Sequence, residues 1–117
     1  MTPIESPFHI RSKIWVEDAD GKVVFGLGRY RMLEAVQRLG SLQAAAKELK
    51  MSYRAIWARI SATEKRLGKQ LLIRKPQGSR LTPLGETLLK QFKRISQIVE
   101  AESNDVYDNL MAAYLDS

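Results

Sequence analysis

The sequence predicts a mainly α-helical fold with short β-hairpins, and three observations carry this prediction. Ser41 and Ser52 each stand where a side-chain oxygen can cap a new helix, and the residues between them are rich in alanine. Asp20-Gly21 lies between two short apolar runs, as a hairpin turn does. Thr82-Pro83 opens a long stretch whose apolar residues recur every three or four positions, which is typical of an amphipathic helix.

Composition favours one compact domain with an appendage, and an acidic partner. The chain has 117 residues, of which 44% are hydrophobic, enough for a real core. Its net charge of +6 suggests nucleic acid as the partner. Residues 50–94 hold twelve basic side chains and only two acidic ones, whereas from Ile95 onward there are five acidic residues and no Lys or Arg. A uniformly solvated surface would not segregate charge in this way.

Several classes of function are not expected. The chain has no cysteine, which excludes disulfides and thiolate metal sites. It has neither a signal peptide nor a membrane-spanning run, so we expect a soluble, cytoplasmic protein without a membrane partner. Its only histidine, His9, lies in the first segment and no catalytic set stands at suggestive spacing, so we expect no enzyme. Glu17, Asp18 and Asp20 lack the remaining ligands of a calcium loop, so we favour an acidic turn over a metal site and expect no cofactor.

The elements up to residue 40 follow in order. Residues 1–12 carry two prolines and are predicted to form a loose arm. Apolar residues predict two strands, around residues 14–16 and 23–25, joined by the acidic turn. After two glycines, a helix is predicted over about residues 29–39, and Gly40 is expected to end it.

Two helices joined by a tight turn come next, over residues 42–49 and 53–67, with Gly68 closing the second. Such a pair most often places its second helix in the major groove of DNA, although an ordinary helical hairpin has the same pattern. A helical wheel places four residues of the second helix on an inward face: Ile56, Ile60, Thr63 and Leu67.

The opposite face of that helix is predicted to point outward. Its aromatic, basic and small side chains suit base edges, thymine methyls and phosphates; they are Tyr53, Arg54, Trp57, Ala58, Ser61 and Lys65. A rotated helix that buries Trp57 is the alternative. Ser41, Gln43 and Ser52 complete the predicted DNA contacts of the two helices.

A strand, a basic turn and a second strand follow, which together predict the wing of a winged helix-turn-helix. The wing carries Arg74, Lys75 and Arg80, which are expected to touch the DNA backbone or minor groove. The helix from Thr82-Pro83 then presents an apolar stripe too long for so small a core. We expect it to form a homodimer, through Leu88, Phe92, Ile95, Val99, Val106 and Leu110, with a break near residues 103–105. A helix folded back on its own domain is the alternative.

Several short motifs together resemble the DNA-binding domain of LysR-type regulators. They are Gly40-Ser41, Ala44-Ala45-Ala46, Ser52, Leu67-Gly68, Leu72-Ile73-Arg74 and Leu81-Thr82-Pro83-Leu84-Gly85-Glu86. Two further features are similar to the ModE-type molybdate-responsive branch: the segment Ser52-Tyr53-Arg54-Ala55-Ile56-Trp57 and the hairpin before the first helix. The chain ends near the long helix, so neither the molybdate-binding domains of that branch nor the LysR effector domain is expected.

The resemblance implies a winged-helix DNA-binding module that dimerises through its terminal helix. The predicted organisation is an arm (1–12), a winged helix-turn-helix domain (13–82) and a dimerisation helix (83–117). The predicted function is that of a sequence-specific transcriptional regulator, which binds near-palindromic duplex DNA as a homodimer. A winged-helix protein-interaction adaptor is the alternative, but such a protein would be expected to have lost Arg54 and the basic wing.

Overall fold

The computed structural model describes residues 8–115, and it is mainly helical with two small antiparallel hairpins, as the sequence predicts. The chain divides into two compact units. We call residues 14–92 the core unit, and the described residues 8–13 and 93–115 the terminal unit. The elements are β1 (Trp15–Glu17), β2 (Val23–Gly26), α1 (Leu27–Leu39), α2 (Leu42–Glu48), α3 (Tyr53–Leu67), β3 (Leu72–Lys75), β4 (Gly78–Leu81), α4 (Pro83–Val106), a π-helical turn (Tyr107–Met111) and α5 (Ala112–Leu115).

The core unit is held together by apolar side chains from α1, α2, α3, the hairpins and the start of α4. Leu33 of α1 and Ile56 of α3 are completely buried. Phe92 closes this core from α4, because its ring meets the Phe25 ring edge-on with the centroids 5.1 Å apart. Burial of each such side chain stabilises the folded state by about 1.5–3 kcal/mol.

Both predicted serine caps are confirmed. Ser41 Oγ accepts the amide hydrogen of Ala44 at the start of α2, and Ser52 Oγ accepts that of Ala55 at the start of α3, each at 3.0 Å. Each bond satisfies one of the amide groups that the first turn of a helix leaves without an intrahelical acceptor. The two caps therefore fix where α2 and α3 begin.

The turn between α2 and α3 reverses the chain within a few residues. Lys50 adopts a left-handed conformation, with φ of 56°. The amide of Met51 donates to the carbonyl of Ala46 at 2.9 Å, and that of Lys50 to the carbonyl of Lys47 at 3.3 Å. This paired pattern is a Schellman motif, which ends α2 just before Ser52 starts α3.

Three details of the helices differ from the sequence prediction. α1 begins at Leu27, two residues early, because Gly28 lies inside the helix instead of in a loop. α2 ends one residue early, at Glu48. Leu67 is 38% exposed instead of buried, because Thr63 is the last residue of α3 that the core covers.

One acidic residue of the first hairpin, Asp18, closes its turn. The Asp18 carboxylate accepts the amide hydrogens of Asp20 and Lys22 at 2.9 and 3.0 Å. The bond from Lys22 is the main reason that the pKa of Asp18 lies below its ordinary value. Glu17 accepts the indole N–H of Trp15 at 2.7 Å. The Asp18 carboxylate thus closes the turn, and the described residues contain no group of three or more potential metal ligands.

The terminal unit contains the whole C-terminal half of α4. The helix continues through residues 103–105, so the predicted break is wrong; the first departure from α-helical geometry is the π-helical turn that begins at Tyr107. Asn104 binds both backbone groups of Ile10, with the Ile10 amide donating to its Oδ1 at 2.8 Å. Residues 1–7 of the predicted arm lie outside the described residues, but the arm is held at Ile10, which the sequence did not indicate.

Candidate nucleic-acid interface

The first two turns of α3 present aromatic and basic side chains to solvent. Tyr53 is 52% exposed and Trp57 is 43% exposed, so the alternative in which the helix buries Trp57 is wrong. Arg54 is exposed as well, and among the described residues it has no hydrogen-bond or ion-pair partner. Ile56 and Ile60 anchor the opposite face in the core. The wheel thus separates the two faces of α3 as the sequence predicts, apart from Leu67.

The wing is the hairpin β3–β4, and backbone contacts fix it beside the start of α2. The amide of Ser79 donates to the carbonyl of Gly40 at 2.8 Å. Gly78 packs against the same carbonyl with φ of 147°, and a Cβ at this position would lie 2.4 Å from the Gly40 oxygen. Because no side chain fits there, glycine at residue 78 allows the wing to approach the turn between α1 and α2.

A groove of about 330 Å³ lies between the wing, the start of α2 and the start of α3. Its lining brings together five of the predicted DNA contacts: Ser41, Gln43, Tyr53, Arg74 and Lys75. These residues come from three separate segments of the chain. The structure therefore places them on one surface. We call these five residues, together with Arg54 and Trp57, the reading surface.

Arg74 does not extend freely from the wing. Its guanidinium lies 5.5 Å from the centre of the Trp57 ring, at cation–π distance. It also donates to Ser61 Oγ at 3.4 Å and lies 3.6 Å from a carboxylate oxygen of Glu64. Arg74 therefore ties the wing to α3, and it covers part of the Trp57 ring.

Glu64 is a positioning residue that the sequence analysis missed. Its Oε2 accepts the amide hydrogens of Leu71 and Leu72, at 2.8 and 3.2 Å. Because the carboxylate also faces Arg74, it fixes both the start of β3 and the side chain that bridges the wing to α3. The only sequence signal was that Glu64 is one of two acidic residues in a strongly basic segment.

The remaining predicted contacts are exposed or serve as caps. Gln43, Ala58, Lys65, Lys75 and Arg80 are all exposed. The hydroxyl oxygens of Ser41 and Ser52 each accept one backbone amide hydrogen, so each hydroxyl keeps its own hydrogen and one lone pair for a ligand.

The predicted dimerisation residues are distributed over two environments. In the core unit, Leu88 is half-buried against the core and Phe92 is buried, with its ring also 5.8 Å from that of Tyr30. Phe92 is therefore part of its own core and unavailable to a partner. In the terminal unit, Val99 is half-buried, and the other predicted residues are at least half exposed: Ile95, Val106 and Leu110. Ile98, which the prediction omitted, is also about half exposed.

Comparison with protein families identifies the helical part of this site. The family described as bacterial regulatory helix-turn-helix protein, lysR family, matches residues 27–86, just over half of the chain. Among curated proteins, the chain is 39% identical over 72 residues to the HTH-type transcriptional regulator YofA of Bacillus velezensis, covering 62% of this chain and 25% of YofA. It is 40% identical over 75 residues to the HTH-type transcriptional regulator MetR of Escherichia coli K12, covering 61% of this chain and 24% of MetR. The chain thus spans about a quarter of the length of these relatives.

Solved structures with the same arrangement include two DNA complexes. The CbnR DNA-binding domain bound to DNA is 29% identical, with a TM-score of 0.58 over 70% of this chain and 94% of that one. The BenM DNA-binding domain bound to catB site 1 DNA is 26% identical, with a TM-score of 0.57 over 67% of this chain and 87% of that one. These matches support the LysR resemblance; they do not support the ModE resemblance. Within the part of the chain that the structure covers, no helix is long and apolar enough to cross a membrane.

Proposed function

Because the chain belongs to the LysR family of bacterial helix-turn-helix regulators, we propose that it binds specific duplex DNA sequences as a transcriptional regulator. The exposed aromatic and basic residues of α3 carry this proposal, since they stand beside a wing that is fixed to the same surface. The similar domains of CbnR and BenM were solved as complexes with DNA. A cytoplasmic location would follow from a function on the chromosome.

In the proposed complex α3 lies in the major groove. Arg54 has the donors to bind a guanine edge in a bidentate manner, and Tyr53 and Trp57 offer apolar surface to thymine methyls. The Trp57 ring is partly covered by Arg74, so its exposed edge is the part left for DNA. Arg54 is consequently the side chain on which sequence preference should depend most.

We expect Arg54→Ala to weaken binding to the preferred site by about 1–3 kcal/mol, because a bidentate contact to a base would be lost. Binding to unrelated duplexes should change much less. Titration of labelled duplexes at fixed salt measures both, with Arg31→Ala, an exposed arginine of α1, as the control. Equal weakening on every sequence would reassign Arg54 to a phosphate, and no weakening on any would remove it from the interface.

The wing should supply contacts to phosphate through Lys75 and Arg80, since both are exposed. Removing either charge should weaken binding to all sequences and reduce the slope of log K against log salt by about one unit. Arg74→Gln should reduce the salt slope by less than Lys75→Gln or Arg80→Gln does, because the Arg74 guanidinium already contacts Trp57 and Glu64. A salt slope unchanged in both Lys75→Gln and Arg80→Gln would mean that the wing points away from the duplex.

We also propose that the chain forms a homodimer through the exposed apolar residues of the terminal unit. Four large apolar residues of this unit are each more than half exposed: Ile95, Ile98, Val106 and Leu110. Single exposed apolar residues are common on protein surfaces, but a group of them indicates an interaction site. Residues 95–117 contain no Lys or Arg, so DNA would not compete for this surface. A two-fold dimer would place two reading surfaces on a near-palindromic site, with α3 helices roughly 34 Å apart or a multiple of that spacing.

Sedimentation at micromolar concentration tests the dimer. The expected species has twice the 13.3 kDa mass of one chain. Ile95→Glu should shift it to the monomer, because a buried unpaired charge opposes association, whereas Lys90→Glu on the same helix should leave it dimeric. A clean 13.3 kDa species with and without operator DNA would contradict the proposal.

Two other interpretations are less well supported. The adaptor alternative predicts loss of basic residues at the reading surface, but Arg54 and the basic wing are present and exposed. A molybdate-responsive function depends on the similarity of the segment from Ser52 to Trp57 and of the first hairpin alone. That hairpin lies outside the residues matched by the family.

A further inference from the structure

Three arginines of the core unit lie close enough together for their charges to interact: Arg29, Arg59 and Arg66. Arg29 projects from the first turn of α1, and Arg59 and Arg66 stand seven residues apart, two helical turns, along α3. Arg66 donates to the backbone carbonyl of Val23, at the start of β2. We call these three side chains the arginine cluster.

The cluster has positive charge without a matching acid. The Nε of Arg29 is buried and has no hydrogen-bond partner among the described residues, and none of the three guanidiniums forms a salt bridge there. Burial lowers the pKa of Arg29, and the charges of Arg59 and Arg66 lower it further. The charge of Arg66 also acts on Asp18, but the Asp18 carboxylate is bonded to its own turn. Holding these unpaired positive charges together costs free energy, and a bound anion would reduce that cost.

The position of the cluster on α3 indicates which anion. Ile56, Ile60 and Thr63 define the buried face of the helix, and Trp57 and Ser61 contact Arg74 on the flank beside the wing. At about 100° per residue, Arg59 and Arg66 fall on the other flank of α3, roughly opposite the wing. A helix in the major groove has one DNA backbone along each flank. The wing would meet one backbone, and the cluster faces where the other would run.

We propose that Arg29, Arg59 and Arg66 form a phosphate-binding site for the DNA strand that the wing does not touch. This proposal rests on the proposed DNA-binding function. Arg59 is the most accessible member, since it is exposed and has no partner among the described residues, whereas Arg66 already binds a carbonyl. Guanidinium groups bind phosphate oxygens through paired N–H donors, and a phosphate held by Arg59 would offset the positive charges that lower the pKa of Arg29. The α3 helix would then be held in the groove from both sides.

The test uses Arg59→Gln, with Arg31→Gln on α1 as a matched control and Lys75→Gln as the wing variant. Thermal midpoints first establish that each variant is folded. Binding is measured to a duplex carrying single neutral methylphosphonates at successive positions on either strand. We expect Arg59→Gln to reduce the salt slope by about one unit. We also expect it to lose sensitivity to neutralised phosphates on one strand, and Lys75→Gln to lose it on the other.

The outcomes separate this site from the function on which it rests. If the wild-type chain binds DNA and Arg59→Gln retains its salt slope and its methylphosphonate map, the cluster is not a DNA contact and the proposal is wrong, while the proposed function stands. If the wild-type chain binds no duplex, both are wrong. Inorganic phosphate is the third arm. If it raises the thermal midpoint of the wild type but not of Arg59→Gln, and the DNA map is unchanged, the ligand is a free phosphate and the DNA assignment is overturned.

Discussion

Ile56→Ala should lower the free energy of unfolding by about 2–5 kcal/mol, since truncation of a fully buried isoleucine leaves a cavity. The side chain belongs to the cluster that packs α3 against the rest of the core unit. It lies one turn into α3, between Arg54 and Trp57 in sequence, so the same change should loosen the helix that carries the reading surface. Chemical denaturation followed by circular dichroism measures the loss.

Ile56→Val provides the matched control for this cavity. It removes one methylene in place of three carbons and should cost about 0.5–1.5 kcal/mol. At exposed Ala58 of the same helix, Ala58→Ser should change stability by less than about 0.5 kcal/mol. A loss for Ile56→Ala no larger than that of Ile56→Val would show that position 56 is not buried.

Gly85→Ala should destabilise the core unit by about 1–3 kcal/mol through overpacking. A Cβ at residue 85 would lie 2.5 Å from the carbonyl oxygen of Leu71, which is backbone and cannot rotate away. That oxygen also accepts the amide hydrogen of Thr82 at 2.9 Å, so a shift would break the bond that ties the residue before α4 to the residue before β3. Thermal unfolding of the variant measures the effect.

Gly28→Ala is the matched control, and we expect it to change stability in the opposite direction. Gly28 also lies inside a helix, but a Cβ there would have no heavy atom within 4 Å. Alanine at this site should stabilise the fold by about 0.4–1 kcal/mol, because it restricts the unfolded chain without a clash. If Gly85→Ala also stabilised the protein, the close approach of α4 to Leu71 would be contradicted.

The elements that sequence analysis located best are those encoded by local chemistry. Ser41 and Ser52 begin helices because a hydroxyl bonds an amide three residues ahead, whatever the rest of the chain does. Thr82 caps α4 in the same way, through a bond from the Gly85 amide to its Oγ1 at 3.1 Å. Helix periodicity likewise separated the buried face of α3 from its exposed face.

The contacts that sequence analysis missed depend on tertiary register. The sequence predicts that Arg74 extends toward phosphate. In the structure the wing packs beside α3 in a position that places the Arg74 guanidinium over Trp57 and next to Glu64. The spacing of residues along the chain does not determine where along α3 the wing packs. Similarly, an apolar stripe does not reveal what covers each of its members. The stripe therefore predicts Phe92 as an interface residue, whereas in the structure Phe25 and Tyr30 pack against it.

Selection of bound sites from a pool of random duplex DNA tests the central claim most directly. We expect repeated selection with the wild-type chain to enrich a near-palindromic sequence whose half-sites lie about one helical turn, or a multiple of it, apart. The same selection with Arg54→Ala should lose the base preference at the contacted position while retaining weaker binding to all sequences. Recovery of a pool no different from the starting one, or of no DNA at all, would contradict a sequence-specific regulator.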